Sequence, residues 1–369
     1  MQKYPAELRK KVIEQIEGRK KIQNKLPTWL TYENILLPPA LHLEQCSSEK
    51  TAFFKASLFQ GKTLADLTGG LGVDTWAFAQ KFEKVWYVEK NPDLFQIALH
   101  NFAVLGLTNV SARNDTAENF LSQFHQKVDY IYLDPARRNL QGKSLAQITE
   151  NEPNVLELLP LLFEKTNQIL LKTSPMFEIK EALKILPYIQ NVYVVSLHNE
   201  CKEVLYLLQK DLHADWQNIP ITTFHLLESN TEKFTATFAE ESRAEVNFAS
   251  KIQTYLYEPN PSVLKAGFFR SVAEKFDLPK LHTHTHLYTH NLYLSDFVGR
   301  IFKVKSVLEN PKKEIPQIGS QFNILVRNYP LSVAEICQKY KLKEGGKDFL
   351  IATTLQPNQK LLIWAERVK

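Results

Sequence analysis

Leu64-Ala65-Asp66-Leu67-Thr68-Gly69-Gly70-Leu71-Gly72-Val73-Asp74 is the stretch on which the fold turns. An apolar run over 63–67 gives way to Gly69, Gly70 and Gly72, then to an amphipathic segment over 73–81. That order predicts a strand turning into a helix, with glycines that let the backbone approach a ligand without Cβ interference. A glycine-rich turn alone also suits a dinucleotide. Asp66, at the carboxyl end of the strand, argues against one, because a carboxylate beside a pyrophosphate repels it. Thr75 stands where the dinucleotide fingerprint wants its third glycine. Both details favour a cationic sulfonium ligand, S-adenosylmethionine (SAM).

Outward from this turn, short apolar runs alternate with amphipathic segments. Strands are expected at 63–67, 85–88, 110–113, 128–133, 168–172, 191–196 and 204–209, and helices at 73–81, 92–105, 116–124, 155–164 and 178–186. Near-continuous apolar strands alternating with helices predict a parallel sheet covered on both faces. Only five residues, His198 to Lys202, separate the last two strands, which implies a hairpin. The expected fold is therefore α/β, a Rossmann-like class I methyltransferase sheet of seven strands with the last antiparallel. Polar groups recur at the strand ends. Glu89 follows the second strand, where two carboxylate oxygens match a ribose diol. Asn114 and Asp115 follow the third, where an Asp can accept from an adenine amino group. The expected SAM-binding set is Asp66, Thr68, Gly69, Gly70, Gly72, Val73, Asp74, Glu89, Asn114 and Asp115.

The fourth strand ends in Asp134-Pro135-Ala136-Arg137-Arg138. This string resembles the Asp/Asn-Pro-Pro-aromatic motif of methyltransferases that act on nucleobase amines. In those enzymes the acid and the Pro carbonyl orient the target nitrogen, and an aromatic ring stacks on the base. Ala136-Arg137 replaces Pro-aromatic here, and an Arg plane can stack or hold a phosphate instead. Asp134, Pro135, Arg137 and Arg138 are thus the expected catalytic residues. Asp-Pro-Ala-Arg also resembles the 5-methyluridine methyltransferases, which need a cysteine after the fifth strand. Lys172-Thr173-Ser174-Pro175-Met176 occupies that place and holds none.

The remaining composition sets limits. The chain has 369 residues, long enough for two or three domains, with 44% hydrophobic and 23% charged residues. No apolar run reaches the ~18 residues of a membrane span. The first twenty residues are charged and helical in pattern, unlike a signal peptide, with Leu8, Val12 and Ile16 at helical spacing. Three cysteines, Cys46, Cys201 and Cys337, form neither a disulfide framework nor a zinc pattern. A cytoplasmic protein is expected. Net charge is +5, and residues 291–369 carry thirteen Lys and Arg against seven Asp and Glu. Such a basic end suits a phosphate backbone, with Arg327, Lys339, Lys341, Lys343 and Lys347 as candidates. His282, His284 and His286 would share one face if they lay on a single strand, but no acidic or cysteine residue adjoins them, and no metal is expected.

Further motifs complete the pattern: Glu44-Gln45-Cys46-Ser47-Ser48-Glu49, Asn199-Glu200-Cys201-Lys202-Glu203, Tyr257-Glu258-Pro259-Asn260, Val326-Arg327-Asn328-Tyr329-Pro330 and Gly345-Gly346-Lys347-Asp348. With the glycine turn and the Asp134 string, they resemble the class I SAM-dependent methyltransferases of Bacteroidetes-type bacteria that carry a C-terminal THUMP-like domain. The resemblance spans nearly the whole chain. It implies an N-terminal helical segment (1–60), a SAM-binding domain (61–212), a ferredoxin-like α+β unit (213–290) and a basic THUMP-like domain (291–369). It also implies methylation of RNA, tRNA or rRNA, with the basic end as the docking surface. The competing expectation is a SAM- and RNA-binding factor that keeps the fold without turnover.

Overall fold

The structure, a computed structural model, describes residues 5–137 and 151–369. It divides into two compact units, Met1–Val192 with Glu203–Trp216, and Tyr193–Lys202 with Gln217–Lys369.

The first unit opens with helices α1 (Ala6–Ile22), α2 (Ala40–Gln45) and α3 (Glu49–Ser57). Ser48 caps α3, its hydroxyl accepting from the Thr51 amide at 3.2 Å. In α1 the periodic residues Leu8, Val12 and Ile16 are exposed, while Ile22 near its end is buried. The apolar stripe read from the sequence is therefore not the face that enters the core. Strands and helices then alternate: β1 (Thr63–Asp66), α4 (Val73–Ala79), β2 (Lys84–Val88), α5 (Pro92–Val104), β3 (Val110–Arg113), α6 (Ala117–Gln123) and β4 (Tyr130–Leu133). Two-residue pieces β5 (Ala136–Arg137) and β6 (Asn151–Glu152) pair antiparallel. They are followed by α7 (Val155–Lys165), β7 (Gln168–Thr173), α8 (Ile179–Ile185), β8 (Ile189–Leu197) and β9 (Glu200–Gln209).

The sheet order in this unit is β8-β9-β7-β4-β1-β2-β3. Pairing is parallel between β1 and β2, β1 and β4, β2 and β3, and β4 and β7. It becomes antiparallel between β7 and β9. The chain thus returns through a hairpin and inserts its last strand between the two before it. This is the α/β class I methyltransferase sheet expected from the sequence. Strand order reverses at β1 and β4, so their carboxyl ends open the crevice where such sheets bind ligands. Helix α5 fixes one wall: Asn91 caps it by accepting from the Asp93 and Leu94 amides, Pro92 starts it, and Phe95, Ala98 and Phe102 pack on Tyr87 of β2.

In the second unit β10 (Ile221–Leu226) and β11 (Thr231–Ala236) form an antiparallel hairpin. The order β11-β10-β8 sets them beside the part of β8 that belongs to this unit, two strands more than the seven expected. Next come α9 (Phe238–Arg243), β12 (Tyr255–Pro259), α10 (Pro261–Ala266), α11 (Ser271–Lys275), β13 (Lys280–His282), β14 (Thr285–His290) and β15 (Gly299–Val307). The chain ends with α12 (Pro311–Ile318), β16 (Gln321–Arg327), α13 (Val333–Tyr340), β17 (Lys343–Leu355) and β18 (Gln359–Arg367). The second sheet runs β13-β14-β12-β15-β18-β17-β16 around two apolar clusters, one centred on Leu256, Phe302 and Ile351, the other on Phe322, Ile336 and Leu350. His282 ends β13 and His284 lies in the turn before β14, so the three histidines do not share one strand. His286 instead stacks on Phe269 at 3.6 Å, and burial, aided by Lys280, His284 and Arg327, pushes its pKa down to about 4.

Candidate active site

The crevice is built from strand ends. The parallel register aligns Asp66 with Tyr87 on one side and Tyr132 on the other. Beyond Asp66 the glycine turn is held by its own hydrogen bonds. The Leu67 amide donates to the Tyr132 carbonyl (3.1 Å), Thr68 to Asp66 Oδ1 (3.1 Å) and Gly69 to the Val88 carbonyl (2.9 Å). The Gly70 amide donates to Glu89 Oε2 (2.8 Å) and Gly72 to the Gly69 carbonyl (2.8 Å). Five amides are thus bonded within the chain, two inside the turn and three to the ends of the neighbouring strands. The Tyr87 hydroxyl donates to the Gly70 carbonyl at 2.6 Å, and Gly72, at φ 84°, starts α4 over the ring of Phe102.

Asp66 is 1% exposed, and its second oxygen accepts from Thr75 Oγ1 at 2.6 Å. Burial pushes its pKa up to about 7, against the pull of those hydrogen bonds. The carboxylate expected to face the ligand is bonded within the turn: Thr75, the residue that breaks the dinucleotide fingerprint, closes over it. Glu89 is likewise drawn inward, accepting from Gly70 and from the Asn91 amide at 2.7 Å. Asn114 donates to the Glu89 carbonyl at 2.7 Å, and Asp115 accepts from the Thr116 amide at 2.9 Å. Thr68 joins the cofactor turn to the fourth strand, its hydroxyl accepting from the Asp134 amide at 2.6 Å.

Behind this turn lies a charged network that reading the residues did not predict. Lys172 of β7 donates to Asp134 Oδ2 at 2.6 Å and to Ser47 Oγ at 3.3 Å. Lys55 of α3, 0% exposed, donates to both oxygens of Glu203 at 2.7 and 3.0 Å and to Ser47 Oγ at 3.1 Å. Its ammonium also lies 3.2 Å from Asp74 Oδ1. Asp74 Oδ2 accepts from Ser47 (2.8 Å) and Tyr132 (2.9 Å). Asp74, expected beside the cofactor, is therefore committed to this network. Burial works against its charge, but Lys55 and Lys172 outweigh burial and hold its pKa below the usual range. Burial works against the Lys172 ammonium too, yet Asp134, Asp74 and Glu203 prevail and raise its pKa. Glu203 is raised, burial exceeding the help of Lys55 and Lys172. Side-chain exposure is graded along the network, 35% at Asp134, 11% at Lys172, 3% at Glu203 and 0% at Lys55. Two ammonium groups among three carboxylates leave one negative charge in excess, in surroundings that favour a cation.

Of the expected catalytic residues, Asp134 stands at this network and Pro135 is buried beside it. The backbone of Arg137 pairs with Asn151, and Arg138 lies outside the described residues. Ser47, Lys55, Lys172 and Glu203 were missed, although Ser47, Lys172 and Glu203 sit inside motifs quoted for the family resemblance. In the second unit Arg327, a candidate for RNA, is half-buried and paired with Glu258. Its Nε donates to Glu258 Oε1 at 2.7 Å, while Arg300 Nε holds Oε2 at 2.8 Å. Lys339, Lys341, Lys343 and Lys347 remain exposed.

This architecture is shared. A crystal structure of a protein from Porphyromonas gingivalis W83, described as a candidate methyltransferase, superposes with a TM-score of 0.90 at 33% identity, covering 100% of this chain and 92% of that one. The chain belongs to that methyltransferase family. Within the methyltransferase, residues 255–297 match a family described as a ferredoxin-like domain and residues 299–367 one described as THUMP domain-like. Weaker likenesses include an rRNA methylase from Streptococcus thermophilus (16% identity, TM-score 0.33, 44% of this chain and 94% of that one). Another is a protein from Pyrococcus horikoshii described as a candidate RNA methyltransferase (14% identity, TM-score 0.36, 52% and 100%). No curated protein matches the methyltransferase in sequence. None of its helices among the described residues is long and apolar enough to cross a membrane.

Proposed function

We propose that the chain is a SAM-dependent RNA methyltransferase of the cytoplasm. One observation carries the cofactor assignment: the Thr68, Gly69, Gly70 and Gly72 amides are already bonded within the chain, while the adjoining side chains hold an excess negative charge. Those features fit a sulfonium. SAM supplies an electrophilic methyl group on positively charged sulfur. The open face of Gly70, where an added Cβ would meet nothing closer than 4.0 Å, leaves room for a ligand. Glu89 would take the ribose hydroxyls and Asp115 the adenine amine, with Asn114 bracing the Glu89 backbone. Residues 61–212 would hold donor and acceptor, and the basic segment 291–369, most of it THUMP-like, would dock the RNA.

Calorimetry tests the first half of this reading: S-adenosylhomocysteine should bind with measurable heat and NAD should not. Transfer of radiolabel from methyl-labelled SAM into RNA from a strain lacking the gene tests the second. A protein that binds SAM but labels no RNA would overturn the RNA assignment.

The sequence reading had a nucleobase, and possibly its exocyclic amine, as acceptor, with Asp134 orienting the nitrogen. Lys172 bears on that choice, because it already occupies one Asp134 oxygen.

A further inference from the structure

We propose that Asp134 and Lys172 are the catalytic pair for methylation of a hydroxyl oxygen, the ribose 2′-hydroxyl of RNA. The inference rests on the RNA reading above and specifies its acceptor. The geometry behind it is the 2.6 Å contact between Lys172 Nζ and Asp134 Oδ2 at the end of β4, the more exposed end of a network otherwise sealed in protein.

The argument turns on the charge that each acceptor develops. An amine attacks with its own lone pair and gains positive charge as the new bond forms. An ammonium group beside it raises that barrier. A hydroxyl is a poor nucleophile until its proton leaves, and as the proton leaves the oxygen gains negative charge. A carboxylate to take the proton and an ammonium to meet the oxygen are what that reaction needs. In the proposed step the O–H proton passes to Asp134. The oxygen forms its bond to the methyl carbon as the carbon–sulfur bond breaks, its electron pair staying on sulfur. Lys172 donates to the developing oxyanion and keeps its proton throughout. RNA offers such a hydroxyl on every ribose, and DNA does not.

The rest of the network positions this pair. Ser47 Oγ accepts from both lysines and donates to Asp74, which fixes Lys172 from behind. Lys55 pairs with Glu203 and Asp74, which lessens their pull on Lys172. Ser47, Lys55, Asp74 and Glu203 are positioning residues.

A chemical assay separates the acceptors without any variant. The full-length protein is given methyl-labelled SAM and total RNA from a strain lacking the gene, and the RNA is then hydrolysed in alkali. Cleavage needs a free 2′-hydroxyl, so 2′-O-methylation leaves the label in alkali-resistant dinucleotides. That is the expected result. Label in mononucleotides would mean a methylated base, overturning this proposal and sparing the RNA reading. No label in RNA, with S-adenosylhomocysteine still bound, would overturn both. Lys172→Ala should lower transfer by about 10²–10³-fold, the usual effect of losing one oxyanion donor, while its calorimetric affinity for S-adenosylhomocysteine stays within about threefold. A Lys172→Ala protein that folds and transfers at the wild-type rate would overturn the pair. Should it not fold, Lys172→Met, of similar length, takes its place in the same comparison.

Discussion

The ring of Tyr87 lies against Gly69, so closely that a Cβ at position 69 would come within 2.1 Å of ring carbon Cε2. Tyr87 cannot retreat, because Phe95 and Phe102 pack on it and its hydroxyl is bonded to Gly70. Gly69→Ala should therefore cost about 1–3 kcal/mol as overpacking and, by displacing the turn, weaken S-adenosylhomocysteine binding by about tenfold or more. Gly70→Ala makes the control. It meets open space at φ 53°, so its cost should be only the ~1–2 kcal/mol of the left-handed backbone. Equal losses in the two variants, by denaturation and calorimetry, would refute this account.

Asp66 makes stability depend on pH in an unusual direction. Its folded pKa, pushed up to about 7, exceeds its ordinary value of 3.8. Between those values the folded protein binds more protons at this site than the unfolded chain, so stability falls as pH rises from about 4 to 7 and levels off above. Three units correspond to at most ~4 kcal/mol. Asp66→Asn has no charge to lose there, so urea titrations at pH 5 and pH 8 should show the variant gaining on wild type at the higher pH. A constant difference would show that Asp66 does not titrate in this range.

Lys55 and Glu203 are 148 residues apart in sequence and meet without water. Removing one partner of such a pair typically costs 3–5 kcal/mol, because the other charge stays buried alone. Lys55→Met strands two carboxylates, Glu203 and Asp74, whereas Glu203→Leu leaves Lys55 with Asp74. Lys55→Met should thus be the more destabilising, by about 1 kcal/mol or more. The double variant should cost less than the two singles together, as a denaturant cycle would read.

The basic residues of the last domain divide by what they touch. Lys341, Lys343 and Lys347 are exposed, and substituting Ser for all three should weaken RNA binding and flatten its dependence on salt, by roughly 0.7–0.9 in slope for each phosphate no longer neutralised. Arg327→Ala should leave that slope nearly unchanged and cost at most ~1 kcal/mol of stability, since Glu258 keeps Arg300. Filter binding across a salt series distinguishes the two behaviours.

The first sheet was legible because its signals are local. Apolar runs over 110–113 and 168–172 became strands with those bounds to within a residue, and Asn91-Pro92 marks a helix start wherever it occurs. Over 261–276 the chain does not run as one helix, because Gly267, at φ 78°, ends α10. Strand β15 was not read at all. Its hydrogen-bond partners, β12 and β18, lie forty or more residues away on either side, so no adjacent hairpin turn marks it. The active-site ions were hidden for a related reason. Lysine and glutamate are ordinarily solvated, and only the assembled fold brings Lys55, Lys172 and Glu203 behind Asp134. The turn at Asp66 was read for its charge, but Thr75, noticed only as a missing glycine, proved to be the residue that sheathes it.

Because the glycine turn is tied by hydrogen bonds to itself and to the two neighbouring strand ends, it needs no visitor to acquire its shape. A ligand arriving there meets a finished receptor, not a coil awaiting organisation, and little entropy remains to be lost on that side of the encounter. Association should accordingly proceed in a single kinetic phase, at a rate set by collision and by the field of the neighbouring carboxylates.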